Sequence, residues 1–183
     1  MRIISGSRRG HKLLEFKGMD VRPTTDRVKE AMFNLIQEYV PGARVLDMFA
    51  GSGALSFEAL SRGAVFAVLL DSDRNSVEII KKNAETLRFT DRCSIVNRSC
   101  FEYLKSFTGE GFDIVFMDPP YNKGFIEPAI QAAAESGAVS KNGIIVLESD
   151  STDFRDEYPG FLMLKQRRYG RTYITVYRRT EGE

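Results

Sequence analysis

The sequence predicts an α/β fold whose mostly parallel sheet ends in an antiparallel hairpin. Two observations carry this. Between Arg44 and Leu147, five near-continuous apolar runs alternate with segments whose apolar residues recur at helical spacing. Strands that are apolar along their whole length are buried on both faces, as happens when helices cover both sides of a parallel sheet. Beyond Glu148 the alternation stops. Phe161–Arg167 and Thr172–Arg178 both read as strands, and the short loop at Tyr169-Gly170 between them cannot make a parallel crossover.

Each element has a local cause. Arg2–Ser5 and Lys12–Phe16 are extended stretches around Gly6-Ser7-Arg8-Arg9-Gly10, which reads as a basic β-hairpin with a glycine-bounded loop. In Arg22-Pro23-Thr24-Thr25-Asp26 a threonine supplies a helix N-cap, and Asp26 falls in the positive first turn. Val28, Ala31, Met32, Leu35, Ile36 and Tyr39 follow at helical spacing until Pro41-Gly42 stops the helix. Arg44–Met48 is then a strand and Ser52–Arg62 a helix. Val65–Leu70 is the second strand, and Arg74–Leu87 a helix with Val77, Ile80, Ala84 and Leu87 on one face. Cys93–Asn97 is a strand, Phe101–Ser106 a short helix, Phe112–Met117 a strand and Ile126–Ser136 a helix. Gly143–Leu147 is the fifth strand. No linker, repeat or low-complexity tract divides the chain. Residues 1–20 therefore form the hairpin appendage and residues 21–183 a single domain.

The chain has 183 residues, 43% of them hydrophobic, which is ordinary for a globular domain. No apolar run approaches the roughly 20 residues of a membrane span. Met1-Arg2-Ile3-Ile4-Ser5-Gly6 lacks the apolar core of a signal peptide, so a cytoplasmic monomer without a membrane partner is expected. Cys93 and Cys100 lack a metal-ligand pattern and read as small buried hydrophobes in a reducing compartment. His11 is the only histidine, which argues against serine–histidine, cysteine–histidine and histidine-rich zinc chemistry. No metal is expected.

A net charge of +1 hides a strong asymmetry. Residues 1–12 carry Arg2, Arg8, Arg9 and Lys12 without an acid. Residues 165–179 carry Lys165, Arg167, Arg168, Arg171, Arg178 and Arg179, again without an acid, among Tyr169, Tyr173 and Tyr177. Phosphate attraction depends on the local field rather than the sum, so this segregation suggests a polyanion surface. The plainer alternative is a pair of solvated strand faces.

In an open α/β sheet, ligands bind beyond the carboxyl ends of the strands, where strand order reverses. The first such end reads Asp47-Met48-Phe49-Ala50-Gly51-Ser52-Gly53. Gly51 and Gly53 let the backbone approach a ligand closely. Ser56 stands where a dinucleotide fingerprint has its third glycine. Asp47 repels a pyrophosphate and attracts a cation. The combination favours S-adenosylmethionine, with its ammonium and sulfonium, over NAD. At the second end, Asp71-Ser72-Asp73, Asp71 is placed to grip ribose hydroxyls, while Asp73 caps the next helix. At the third, Ser99 and Cys100 offer a side chain and a backbone N–H to an adenine.

The fourth end is Asp118-Pro119-Pro120-Tyr121. Each proline fixes its own φ and lacks an N–H, and the residue before each is pushed out of the helical region. The segment is therefore a stiff extended hook. It presents the Asp118 carboxylate and the Pro119 carbonyl as two acceptors at fixed spacing, with the Tyr121 ring beside them. That suits a planar group bearing an exocyclic amine. A strand-to-loop turn with a buried tyrosine is the structural alternative; the whole tetrapeptide after a buried strand favours chemistry.

Together, Asp47-x-Phe49-x-Gly51-x-Gly53, Asp71 and Asp118-Pro119-Pro120-Tyr121 resemble the class I methyltransferases that modify exocyclic amino groups. Arg22-Pro23-Thr24-Thr25-Asp26-Arg27-Val28-Lys29-Glu30, Phe33-Asn34 and the basic N-terminal hairpin narrow the resemblance to the bacterial 16S rRNA guanine-N2 methyltransferases of the RsmD family. The similarity covers nearly the whole chain. It implies a seven-stranded Rossmann-like fold and S-adenosylmethionine as methyl donor, leaving S-adenosylhomocysteine. The implied acceptor is a guanine of 16S rRNA in a partly assembled small ribosomal subunit. Asp118, Pro119, Pro120 and Tyr121 would be catalytic. Arg22, Thr24 and Thr25 would cover the methionine end of the cofactor, unless the threonines only cap the helix. Arg8, Arg9 and Lys12 would contact RNA phosphates. Rival readings are an adenine-N6 methyltransferase on DNA or RNA, and a non-catalytic RNA-binding assembly factor. A protein-glutamine methyltransferase would call for Asn at position 118.

Overall fold

A computed structural model of the chain describes residues 1–15, 26–120, 124–150 and 155–180. Its single sheet contains β1 (Arg44–Asp47), β2 (Phe66–Leu70), β3 (Cys93–Val96), β4 (Phe112–Met117), β5 (Val139–Ser149), β6 (Glu157–Tyr158), β7 (Phe161–Tyr169) and β8 (Thr172–Arg179). The order across the sheet is β3-β2-β1-β4-β5-β8-β7-β6. Pairs among β1 to β5 are parallel, and β8, β7 and β6 add on antiparallel. The expected Rossmann-like sheet is present with its closing hairpin. Beyond the seven expected strands, the two-residue β6 pairs with the outer edge of β7.

Side chains alternate between the faces of a strand, so each buried strand feeds two cores. Val45, Leu69, Ile114, Phe116, Ile144 and Val176 point to one side, where α1 (Asp26–Leu35), α2 (Ala54–Ser61) and α3 (Arg74–Leu87) pack. Leu46, Val68, Val115, Met117, Ile145 and Leu147 point to the other, against α4 (Cys100–Lys105) and α5 (Ile126–Glu135). Phe33 of α1 and Phe116 of β4 are both fully buried, with ring centroids 5.6 Å apart. No helix among the described residues is long and apolar enough to cross a membrane.

Most boundaries fall within one or two residues of the periodic pattern, and the two largest differences are in α1 and β5. The α-helix α1 ends at Leu35 although apolar spacing continues to Tyr39; the chain goes on in tight turns that keep Ile36 and Val40 buried. β5 starts at Val139, four residues before the apolar run, because Val139 pairs with Phe112 across a register shift and carries the polar Ser140-Lys141-Asn142 into the ladder.

The N-terminal arm is a reduced hairpin. Among the described residues one antiparallel bridge joins Arg2 and Lys12, supported by the Ile3 N–H to the His11 carbonyl at 2.9 Å and the Gly10 N–H to the Ile3 carbonyl at 2.8 Å. Ile3 is fully buried in the same core as α1 to α3. The arm is held by Glu58 of α2, itself fully buried. The Glu58 carboxylate accepts the Ile4 and Ser5 N–H groups at 2.8 and 3.0 Å and pairs with Arg62 at 2.7 Å and Lys29 at 3.6 Å. Lys29 in turn donates to the Arg2 carbonyl at 2.5 Å.

Candidate active site

Because β1 lies between β2 and β4, chain connections run outward in opposite directions from β1 and β4. The crevice between their carboxyl ends is the topological switch point, where α/β sheets bind ligands. Asp47 is the last residue of β1, and Asp71 and Asp118 each directly follow their strands β2 and β4. Strand order thus gathers three carboxylates, the outer two 71 positions apart in sequence, along one edge.

The loop after β1 is tied to both neighbours. The Met48 N–H donates to the Phe116 carbonyl at 3.0 Å, and the Ala50 N–H to the Leu70 carbonyl at 2.9 Å. The loop then turns through two left-handed glycines, Gly51 at φ 56° and Gly53 at φ 79°. Gly53 has no room for more: a Cβ there would lie 2.4 Å from a Phe57 ring carbon. At Gly51 a Cβ would meet nothing within 4 Å. The second glycine is thus required by packing, while the first leaves open space above the loop. Both Ser52 and Phe49 are half-buried.

Asp47 is almost fully buried, at 1% exposure. Its Oδ2 accepts the Ser56 hydroxyl at 3.0 Å, and its Oδ1 has no hydrogen-bond partner among the described residues. Burial pushes its carboxyl up to about 7; the Ser56 hydroxyl and the Phe49 backbone pull partly the other way, and the Asp71 charge adds to the rise. A buried carboxylate with one unsatisfied oxygen is a ready partner for a cation. Ser56, read in the sequence as a missing glycine, is what holds it.

Asp71 accepts the Gly51 N–H on Oδ2 and the Asp73 N–H on Oδ1, both at 2.9 Å. Burial raises its carboxyl, and these two N–H groups offset part of that. It therefore braces the glycine loop while keeping further acceptor lone pairs. Ser72 is exposed. Asp73 caps α3 as its position in the sequence implies, accepting the Asn75 N–H at 2.9 Å.

At the end of β3, the Asn97 side chain donates to the Asp71 carbonyl at 2.9 Å. Ser99 is the N-cap of α4, in a reciprocal capping box with Glu102. Its hydroxyl is therefore engaged locally, which favours a backbone over a side-chain contact at this position. Cys100 is buried, and burial lifts its thiol to about 11, outside the range of a reactive thiolate.

Asp118 is half-buried, Pro119 buried and Pro120 exposed. Tyr121, Arg22, Thr24 and Thr25 lie outside the described residues, as does the expected boundary at residue 20. Two aromatic residues that the sequence reading missed stand next to this edge. Phe125 stacks on Phe49 at 6.3 Å between centroids, and Phe101 meets Phe125 at 6.0 Å. With Phe49, they form a half-buried aromatic cluster beside the ends of β1, β3 and β4. Their sequence signal was slight: each directly precedes or begins a helix, where a core role is the usual reading.

Asn83 of α3 was also missed. It is 1% exposed, and its Nδ2 reaches the Ser52 carbonyl at 2.9 Å. Its remaining bonds go to the backbone of Leu14 in the arm, at 2.7 and 3.1 Å. The arm tip itself sits at the other end of the sheet. The Arg8 N–H donates to Ser61 at the end of α2, and its Nε to the Leu87 carbonyl at the end of α3, at 2.9 and 2.6 Å. Its guanidinium lies over Phe89 at 5.4 Å. Arg8, His11, Thr86 and Arg88 line a polar cavity of about 250 Å³ there, and Arg9 and Lys12 are exposed beside it.

Residues 1–178 match the family described as Conserved hypothetical protein 95. The chain is 35% identical over 179 residues to ribosomal RNA small subunit methyltransferase D of Haemophilus influenzae, covering 97% of this chain and 93% of that protein. It is 39% identical over 150 residues to the protein of the same name from Escherichia coli, covering 82% of this chain and 75% of that one. Among solved structures, the yhhF protein of Escherichia coli superposes with a TM-score of 0.88 at 35% identity, over 98% of both chains.

Proposed function

The chain belongs to the Conserved hypothetical protein 95 family, alongside the ribosomal RNA small subunit methyltransferases D, and on that premise we propose that it methylates the exocyclic N2 of a guanine in 16S rRNA. S-adenosylmethionine is the proposed donor, and a partly assembled small subunit the proposed substrate. The observation that carries this reading is the convergence of Asp47, Asp71 and Asp118 at the switch point of the sheet. The residues present suit such a cofactor. Asp47 offers a buried, half-satisfied carboxylate to a cationic group, Gly51 opens space above its loop, and Asp71 stands beside both. When bound, S-adenosylmethionine supplies an electrophilic methyl and leaves as S-adenosylhomocysteine.

The protein's own work is positioning and charge. A guanine N2 lone pair is delocalised into the ring and is a poor nucleophile. Acceptors at the Asp118 carboxylate and the Pro119 carbonyl would bond its two hydrogens and draw the nitrogen toward tetrahedral geometry. They also stabilise positive charge as it develops there. The methylated amine is acidic, so its proton can leave late to water, and Asp118 need not be a strong base. Holding the base against the aromatic cluster of Phe49, Phe101 and Phe125, or on Tyr121, requires it to swing out of its helix.

The test is transfer of labelled methyl to small-subunit particles from cells lacking the protein, followed by nucleoside analysis. N2-methylguanosine is the expected product. N6-methyladenosine would select the adenine alternative, and absence of transfer would leave the assembly-factor reading.

A further inference from the structure

The two basic segments lie at different places relative to the site, and only the strand order reveals it. In β5, which runs parallel to β4, Leu147 pairs with Met117, so Ser149 stands at the level of the hook. Ser149 pairs with Tyr173 of β8. The β7–β8 turn at Gly170 and Arg171 therefore projects from the same edge as Asp118. β8 is two strands from β4, about 10 Å away at the usual strand spacing. By contrast, the arm tip contacts the ends of α2 and α3, and α2 alone, eight residues and about 12 Å long, separates Ser61 from the glycine loop.

Arg167, Arg168 and Arg171 are all exposed at this turn. Arg168 is held in place: its Nε donates to the Gly170 carbonyl at 2.8 Å, and its guanidinium lies 5.5 Å from the centroid of its cross-strand partner Tyr173. A cation fixed in this way loses less side-chain freedom on meeting a phosphate. Lys165, farther down β7, is instead engaged by the Leu35 carbonyl and Glu38. The register places buried Glu148 in the row of Ile174 and Arg167, and exposed Asp150 follows Ser149.

Resting on the rRNA reading above, we propose that the β7–β8 turn is the grip on RNA nearest the reaction centre. Arg167, Arg168 and Arg171 take backbone phosphates of the unpaired strand that flanks the target base. The arm tip meets RNA only farther away, on the opposite side of the switch point. Phosphate contacts of this kind set register and orientation and carry no base information.

The test compares Arg167→Glu/Arg171→Glu with Lys82→Glu/Lys105→Glu, which makes the same charge change elsewhere on the surface. Binding of undermethylated small-subunit RNA is measured over a range of salt, alongside cofactor affinity and single-turnover transfer. The turn variant should bind at least tenfold more weakly, with its log–log salt slope reduced by about 0.7 per lost contact. Cofactor affinity should be unaltered, and transfer should recover at saturating RNA. Equal affinity and slope in the turn variant and wild type would overturn the proposal. So would an equal loss in the control, which would mean that only total charge matters. Failure of the wild type to transfer methyl would instead sink the function, and the salt slopes would still judge the turn.

Discussion

Asn83 and Ser52 are joined by a 2.9 Å hydrogen bond from the Asn83 amide to the Ser52 carbonyl, and through it α3 supports the loop that follows β1. The same carboxamide holds Leu14 in both directions. One buried side chain thus ties the N-terminal arm to the glycine loop. Asn83→Ala removes the hydrogen-bond partner of part-buried backbone groups of Ser52 and Leu14, at about 0.5–1.5 kcal/mol per bond lost. The expected result is lower unfolding free energy together with weaker S-adenosylmethionine binding by calorimetry. A stability loss with unchanged affinity would reduce the clamp to a structural role.

Glu58 is the second tie, and its removal should be costlier. Glu58→Ala strips the counter-charge from fully buried Lys29 and the acceptors from Ile4 and Ser5. Breaking one side of a buried pair costs about 3–5 kcal/mol. Urea denaturation checks this; a loss below about 1 kcal/mol would mean that Lys29 finds water.

Asp47 makes stability depend on pH. Its folded carboxyl is raised from 3.8 to about 7, so between these values the folded chain keeps a proton that the unfolded chain has released. The contribution is fully present below the unfolded value and is lost as pH rises toward 7. Asp47→Asn should remove this slope. Relative to the variant, wild type should lose stability steadily from about pH 4 to 7 and level off above. A flat difference across that window would show that Asp47 is ionised in the folded protein.

Gly51 and Gly53 separate ligand space from packing. Both are left-handed, so alanine at either costs about 1–2 kcal/mol in backbone strain. At Gly53 the added methyl also strikes Phe57, a further overpacking cost of about 1–3 kcal/mol. Gly53→Ala should therefore melt lower than Gly51→Ala. Gly51→Ala should remain folded and weaken the cofactor, since its methyl projects into open space. The reverse order of melting temperatures would contradict the geometry.

Asp118→Ala should leave the protein folded and cofactor binding nearly unchanged while slowing methyl transfer by a factor on the order of 10²–10³, the usual effect of losing a transition-state hydrogen-bond partner. Tyr121→Phe should be mild and Tyr121→Ala severe, base stacking being worth about 1–3 kcal/mol. Single-turnover transfer to undermethylated particles is the measurement. Near-wild-type rates in Asp118→Ala would refute the hook as the catalytic element.

By itself the sequence determined what depends on neighbours along the chain. Apolar runs and helical spacing set the α/β alternation, because periodicity is a local property of the backbone. Arg74–Leu87 and Phe112–Met117 match their observed bounds, and Asp73 caps α3 as its position implied. Where local cues were mixed, as with the polar residues opening β5, pairing with Phe112 decided the boundary. Only the tertiary structure decided what depends on distant partners. Asn83 reaches 31 residues back to Ser52 and 69 to Leu14, and no spacing rule marks such a bond. The Phe49–Phe125 stack and the Glu58 charge cluster arise in the same way. Both basic segments were visible as composition, but composition has no direction. The order β4-β5-β8-β7 brings one to the catalytic edge, and packing against the ends of α2 and α3 carries the tip of the other away from it.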